Sequence, residues 1–369
     1  MISTTQAVRL LFFVEHFGQF GSGAENYAAN LCTALAQRGH EVHVVAGDAG
    51  KVTGITTHIG LDRIDTIIAD VAPDITVDWG FYHAADIHRM GGGIHSEFMR
   101  YSLDAYRGLA RVWKQIRNRQ LKHRALIEQE TAILERPDAR FVANSQFGAS
   151  QARAAGAAAE AVTVMYNGVD VQRFRPLADE GLRSAQRATW QVDDDAVVLL
   201  FVAHNLRLKN LALLCRVLEM RTPQTARLVI VGRKRPAFSS PLLHYAGVSD
   251  AMELCYQAAD VLVHPSFFDA GANVVLEAMS CGLPVIVSDR CGTDELVNDG
   301  GNGYVLPVVG KSIDGQWNDV IGQLVDDPAL RGRLGIAARG TAEQHTFSDY
   351  VVTFERLLGE VLQQKCNTD

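Results

Sequence analysis

Asp269 and Glu277 stand eight positions apart in "HPSFFDAGANVVLEAMSCGLPVIVSD", residues 264–289, around the small residues that open a helix. Two carboxylates at this spacing can each accept hydrogen bonds from hydroxyls of one ligand. Eight residues at helical rise cover roughly 12 Å, about the distance from a sugar hydroxyl past a diphosphate to a ribose. With the helix starting near Gly271, the N–H groups of Gly271, Ala272 and Asn273 would point out of its first turn, where an anion is favoured. Gly271 and Ala272 are small enough for a ligand to come close. A plainer account makes Asp269 an N-cap and Glu277 a surface residue, and it explains each acid separately.

A second loop supplies cations. In "HNLRLKN" Arg207 and Lys209 follow a strand and precede a helix. Arg can fork onto two oxygens while Lys acts as a point charge, so a diphosphate is the natural target of the pair. A solvated basic loop is the alternative, but it does not explain why cations, both acids and the small pair fall at one sheet edge. The first loop, "GQFGSGAEN", places Gly21 and Gly23 before a helix. It is not a G-x-G-x-x-G fingerprint, since Asn26 stands where the third glycine belongs, and a nicotinamide or flavin dinucleotide site is disfavoured.

These loops need strands and helices to hold them. "VRLLFFV" is a continuous apolar run, as expected of a parallel strand buried on both faces. After it Tyr27, Leu31, Ala34 and Leu35 recur at helical spacing and Gly39 ends the helix. The pattern restarts at Ala196 and continues through "ARLVIVG", "DVLVHPS" and "PVIVSD". Two such series predict an α/β chain with two doubly wound, Rossmann-like sheets. The boundary falls in the loop-rich "YNGVDVQRFRPLADE". This gives an N-terminal domain at 1–170, a C-terminal domain at 171–345, and a helix at 346–369, N-capped by Ser348, that could pack back on the N-terminal domain.

Composition narrows the function classes. The chain has 369 residues, 47% hydrophobic and 21% charged, and a net charge of -7. That is an ordinary globular composition, and it predicts no general attraction to nucleic acid. Six cysteines without CxxC spacing argue against a zinc site or a disulfide framework and fit a reducing cytosol. The stretch 100–124 departs from the rest, with eight Lys or Arg against one acid, Asp104, a local net charge of +7. Leu103, Tyr106, Ala110, Trp113 and Arg117 step along it at helical spacing. A basic helix with an aromatic stripe suits an anionic membrane surface; a solvated basic face with its aromatics in the core is the equal alternative.

Several stretches together resemble the family 4 retaining glycosyltransferases of the GT-B fold, in character the lipopolysaccharide core hexosyltransferases. They are "GSGAENYAANLCTALAQRGHEVHVV", "ANSQFGASQ", "VMYNGVDVQRFRP", "RLKN", "ADVLVHPS" and, most specifically, "FFDAGANVVLEAMSCGLPVIVSD". The resemblance implies a metal-independent hexosyltransferase with no cofactor, whose donor is a nucleotide-sugar, by family default a UDP-sugar. The acceptor would be a glycan or glycolipid of cell-surface polysaccharide or lipopolysaccharide synthesis. The donor would bind mostly on the C-terminal domain and the acceptor mostly on the N-terminal one. Glu277 would hold the ribose, and Asp269, in place of the family's first glutamate, would face the transferred sugar. Arg207 and Lys209 would stabilise the leaving diphosphate, with Gly23 and Arg173 also reaching the donor. On the acceptor side, Asp86, His88 and His95 flank the Gly91–Gly93 loop, and Asp86 and His95 are candidates for a part in catalysis. The protein would be cytoplasmic, or peripheral on the inner face of the membrane through 100–124. The alternatives are a transferase or phosphorylase acting on a small soluble acceptor, and an inactive sugar-nucleotide binding protein.

Overall fold

The computed structural model describes residues 7–18, 23–177, 179–220 and 225–368. They divide into two compact units. The first holds the residues up to Glu97, Asn118–Tyr166 and the stretch from Ser348 onward; the second holds Phe98–Arg117 and Asn167–Phe347. The chain therefore changes unit at 97, 117, 166 and 347, and the segment 98–117 belongs with the second unit.

Up to the second unit's sheet the order is β1 (Arg9–Phe17), α1 (Gly23–Gln37), β2 (Glu41–Ala49), β3 (Thr56–Ile59), α2 (Ile64–Val71), β4 (Ile75–Asp78), β5 (Ile87–Met90), α3 (His95–Ser102), α4 (Gly108–Asn118), α5 (Leu121–Leu134), β6 (Arg140–Ala143), α6 (Gln146–Ala154) and β7 (Val162–Val164). The seven strands form one parallel sheet in the order β3-β2-β1-β4-β5-β6-β7. Leu10, Leu11, Phe12 and Phe13 of β1 are wholly buried, which is why this strand carries no polar alternation. Tyr27, Leu31 and Leu35 of α1 are buried as their spacing predicts, and Gly39, at φ 96°, takes the left-handed turn that ends the helix.

The rest of the chain runs α7 (Glu180–Thr189), β8 (Val197–Val202), α8 (Leu211–Glu219), β9 (Ala226–Val231), β10 (Leu243–Gly247), α9 (Met252–Ala258), β11 (Val261–His264), α10 (Asn273–Ser280), β12 (Val285–Ser288), β13 (Gly303–Leu306), α11 (Ile313–Asp326), α12 (Pro328–Ala342) and α13 (Phe347–Thr368). Its sheet is parallel with the order β10-β9-β8-β11-β12-β13. Core residues of α8 and α11 cover one face, and those of α9 and α10 the other. β9 and β10 are joined by residues 232–242 without a helix, as "AFSSPLL" suggests. The strand order reverses between β8 and β11. In such sheets that is where ligands bind, beyond the carboxyl ends of the strands. The loops after these two strands are stitched together where the Phe267 N–H donates to the Leu208 carbonyl at 2.9 Å.

Two expectations change. Ser348 is not an N-cap, because α13 already begins at Phe347. Within the first unit α13 is held by Glu355, which accepts from Arg38 at 2.6 Å and pairs with His40 at 3.3 Å. Nor is 100–124 one helix. α3 passes into a 3-10 turn at 103–105, Tyr106 is extended, and α4 restarts at Gly108 with φ 53°. The single stripe through Tyr106 and Trp113 is thereby broken.

Gly232, at the carboxyl end of β9, shows how tightly this edge is built. A Cβ there would lie 1.9 Å from the Ala203 carbonyl oxygen, and its φ is 154°. Neither backbone can yield cheaply, so Gly232→Ala is expected to cost about 3 kcal/mol in urea unfolding. A cost below about 0.5 kcal/mol, the range of an ordinary surface change, would show that the close approach is not maintained.

Candidate functional site

Lys209 and Asp269 meet at the point where the strand order reverses. Lys209 Nζ donates to Asp269 Oδ2, and His264, the last residue of β11, places Nε2 3.1 Å from the same oxygen. Burial alone would push the Asp269 carboxyl up. The Lys209 charge and the His264 hydrogen bond outweigh it and hold the group well below the usual carboxylate range. His264 is lowered by burial and by Lys209, so it stays neutral and Nε2 carries the proton given to Asp269. Its Nδ1 has no hydrogen-bond partner among the described residues. The backbone of Asp269 is fixed as well: its N–H donates to the Arg290 carbonyl at 3.0 Å, and its own carbonyl accepts from Gly292 at 2.8 Å.

The helix start differs from the expectation. α10 begins at Asn273 with Ala272 as N-cap, and the Gly271 N–H donates to Asp269 Oδ1 at 3.2 Å. Gly271 thus lies in a turn closed by Asp269 and does not offer its N–H from the helix. Asn273 also engages Asn167, whose amide sits 2.5 Å from Asn273 Oδ1.

Glu277 lies one turn into α10 and accepts from the Tyr256 hydroxyl at 2.6 Å. Burial raises its carboxyl, with the Tyr256 hydrogen bond and the Arg173 charge opposing. Arg173 donates to Glu253 at 3.0 Å and lies 5.0 Å over the Phe174 ring, so its guanidinium is near this acid without bonding it. Arg207 takes a separate place, 4.7 Å over the Tyr106 ring. Arg207 and Lys209 share a loop but engage different partners, and the expected joint grip on one diphosphate is not formed without a ligand. Among the described residues no group of three or more His, Cys, Asp or Glu could hold a metal ion.

In the first unit, Asp86 is a correction. It precedes β5, at the amino end of the strand and away from the ligand-binding edge. There it accepts from Thr76 N and Oγ1 at 2.8 and 2.9 Å and from Lys365 at 3.1 Å, which is a structural anchor. His88 is likewise buried and hydrogen-bonded to Asp78 at 3.0 Å. His95 follows β5 at the carboxyl edge. It opens α3, its N–H donates to Glu130, and its Nε2 lies 2.9 Å from His123 Nδ1. Gly21 and Ser22 lie outside the described residues, and Gly23 is the first residue of α1. Sequence reasoning missed Tyr256 and His264. The only signal for His264 was its place at the end of an apolar run, and Tyr256 is hidden in the helix before it.

Residues 183–341 match the family model described as glycosyl transferases group 1, and residues 21–173 that described as Glycosyltransferase Family 4. The chain belongs to the family 4 glycosyltransferases. Curated relatives named D-inositol 3-phosphate glycosyltransferase include one from Saccharomonospora viridis, 30% identical over 60% of this chain and 55% of its own length. Another, from Streptomyces bingchenggensis, is 32% identical over 56% of this chain and 49% of its own length. The chain thus spans about half the length of the curated relatives it matches. Among solved structures, WaaG, a glycosyltransferase involved in lipopolysaccharide biosynthesis, superposes with a TM-score of 0.80 at 17% identity, covering 94% of this chain and 99% of WaaG. Anabaena Alr3699/HepE in complex with UDP-glucose gives 0.73 at 17% identity, covering 97% of this chain and all of that one. At such identities the shared property is the GT-B fold, two Rossmann-like units.

Lys209→Met would leave the Asp269 carboxylate largely buried without its cation, at a cost of about 3 kcal/mol near neutral pH. Folded Asp269 binds its proton less tightly than the unfolded chain does. The pair's stabilisation is therefore complete above the ordinary aspartate pKa and is lost as pH falls through the lower folded value. Urea unfolding should find the gap between wild type and variant narrowing below about pH 4. A gap independent of pH would rule out the ion pair as its source.

Proposed function

We propose that the second unit binds the diphosphate of a nucleotide-sugar where β8 and β11 diverge, and that the protein transfers the sugar with retention of configuration. The observation that carries this is the meeting of Lys209 and Asp269 at that point, with Glu277 one helical turn further in. Lys209 is already oriented by Asp269 and His264. A diphosphate arriving there would share its charge, and the charge developing on the leaving phosphate would meet a cation that needs no reorganisation. Arg207 would leave the Tyr106 ring to join it. Glu277, which already accepts one hydroxyl, is the acceptor for the ribose diol, and Asp269 is the group nearest the sugar. No metal ion has a part in this scheme, so turnover should survive EDTA. UDP is the nucleotide proposed, since HepE is described with UDP-glucose.

For the acceptor we propose a glycan or glycolipid at a membrane surface, as in lipopolysaccharide or polysaccharide synthesis. α4 supports this. Leu109, Val112, Trp113 and Ile116 recur at helical spacing and are between 50% and 80% exposed, and no residue of α4 is buried. Two of its three basic residues turn the other way: Arg111 bonds Asp104 at 2.8 Å and Lys114 lies 6.0 Å from the Tyr106 ring, while Arg117 is exposed. An apolar helix face held outward among cations is suited to an anionic bilayer. No helix among the described residues is long and apolar enough to cross a membrane. The names of the curated relatives favour a second reading, a small phosphorylated polyol as acceptor.

Titration of UDP-, GDP- and ADP-sugars by thermal shift should find one series that stabilises the protein, with binding about tenfold or more weaker in Glu277→Gln, the loss of one charged hydrogen bond. Stabilisation by no series, or equal binding by the variant, would remove the donor assignment. Vesicles rich in phosphatidylglycerol should bind the wild type and hold Trp113→Ser and Leu109→Ser about tenfold less tightly each. Unchanged partitioning would favour the soluble acceptor.

A further inference from the structure

The second unit contains a cavity of about 500 Å³ that the donor scheme does not use. That volume is ordinary for a small-molecule site. It lies where α8 and α11 begin, on the sheet face they cover, whereas Tyr256 and Glu277 belong to the helices of the opposite face. The remaining wall is the stretch from Asp104 to Arg111.

Its chemistry is cationic. Arg107, Arg111 and Arg216 line it against two acids, Asp104 and Asp314. Arg216 forks onto Asp314 at 2.7 and 2.8 Å, and Asp104 accepts from Arg111 at 2.8 Å and from Arg290 at 2.5 Å. These pairs fix the guanidinium planes and leave over Arg107, whose side chain makes no hydrogen bond or ion pair among the described residues although its charge acts on Asp314. Both helices that open at the cavity lack a side-chain cap. Their N-caps, Asn210 and Ser312, adopt left-handed backbone at φ 60° and 58°. Asn210 is only 7% exposed, and its side-chain amide has no partner among the described residues. A polar side chain so deeply placed at the cavity wall needs a partner. At α8 the Leu211 and Leu213 N–H groups already donate to the Leu206 and Asn210 carbonyls at 3.0 Å, so the donor set for an oxyanion is the start of α11, the Asn210 amide and the Arg107 guanidinium. Phe267, Leu213 and Ile313 supply apolar wall for the body that carries the anion.

We propose that this cavity binds a phosphate ester at a site separate from the nucleotide-sugar. Arg107 and the Asn210 amide would contact the phosphate, and the ion-paired Arg111 and Arg216 would frame it. The ester could be a lipid headgroup, since Arg107 and Arg111 lie at the start of the outward-facing α4, or a soluble phosphorylated molecule.

The test uses inorganic phosphate, titrated by calorimetry at constant ionic strength, with and without saturating UDP. Wild type should bind phosphate equally in both conditions. Arg107→Glu, at an exposed residue whose side chain makes no hydrogen bond, and Asn210→Gly, which keeps the left-handed backbone, should each bind it about tenfold less tightly. Phosphate displaced by UDP would place the ion in the donor site, and variants that bind like wild type would clear the cavity of any role; either result overturns the proposal. Vesicles containing phosphatidic acid then separate the sources. Recruitment that phosphate competes away, and that Arg107→Glu loses, identifies a headgroup. Phosphate binding without such recruitment identifies a soluble ester.

Discussion

One carboxylate holds the carboxyl edge of the second sheet together. The side chain of Asp269 engages Lys209 from the loop after β8 and His264 at the end of β11, while its backbone joins Arg290 and Gly292 from the loop after β12. Three loops therefore share a reference point, in addition to the Phe267–Leu208 backbone bond that joins the first two. In the sequence these residues are up to 83 positions apart, counted from Lys209 to Gly292. The ionised state of Asp269 maintains that arrangement, and a neutral acid would release the lysine. A buried pair of this kind is weak evidence for stability in itself, because desolvation offsets much of the attraction. Its value here is geometric: it aims a cation and an acid at one region and keeps them there.

The segment 98–117 extends this edge. Tyr101 stacks on Phe268 with ring centroids 5.6 Å apart, Phe98 meets the same ring edge-on at 5.8 Å, and Arg290 lies 4.9 Å over Tyr101. Asp104 lies between Arg111 and Arg290, and those two cations hold its carboxyl down against the effect of burial. The residue next to Asp269 in the chain is thus also the platform on which α4's approach is built. Of the two sequence readings of this stretch, a membrane-facing basic helix and a solvated basic face with its aromatics in the core, the second does not hold for α4: Arg111 and Lys114 turn inward and the apolar residues face out.

Much of the fold was legible because parallel strands buried on both faces write continuous apolar runs, and each of the quoted runs became a strand. The loop pair at the site was legible for the same reason, since it follows directly from where β8 and β11 end. Three things were not. The α10 start was placed two residues early because Gly271 can serve a helix start or a side-chain-closed turn equally well, and only the Asp269 contact decides. Asp86 looked catalytic beside histidines and glycines, but sequence proximity does not tell the amino end of a short strand from its carboxyl end. The partners Tyr256 and His264 could not be paired with their acids, since contacts between elements leave no periodic mark on the chain.

The bare connection between β9 and β10 has a consequence for how copies of the protein behave in concentrated solution. β10 is the outer strand of its sheet, a position that invites pairing with the strand of another molecule. It is only five residues long, and the Arg233, Lys234, Arg235 and Pro236 run leads toward it. Tyr245 of this strand donates its hydroxyl to the Gly232 and Arg233 carbonyls, and the Arg235 guanidinium lies 5.9 Å over its ring. Like charge on two such rims opposes their alignment, so the loop that omits a helix guards the border against self-assembly.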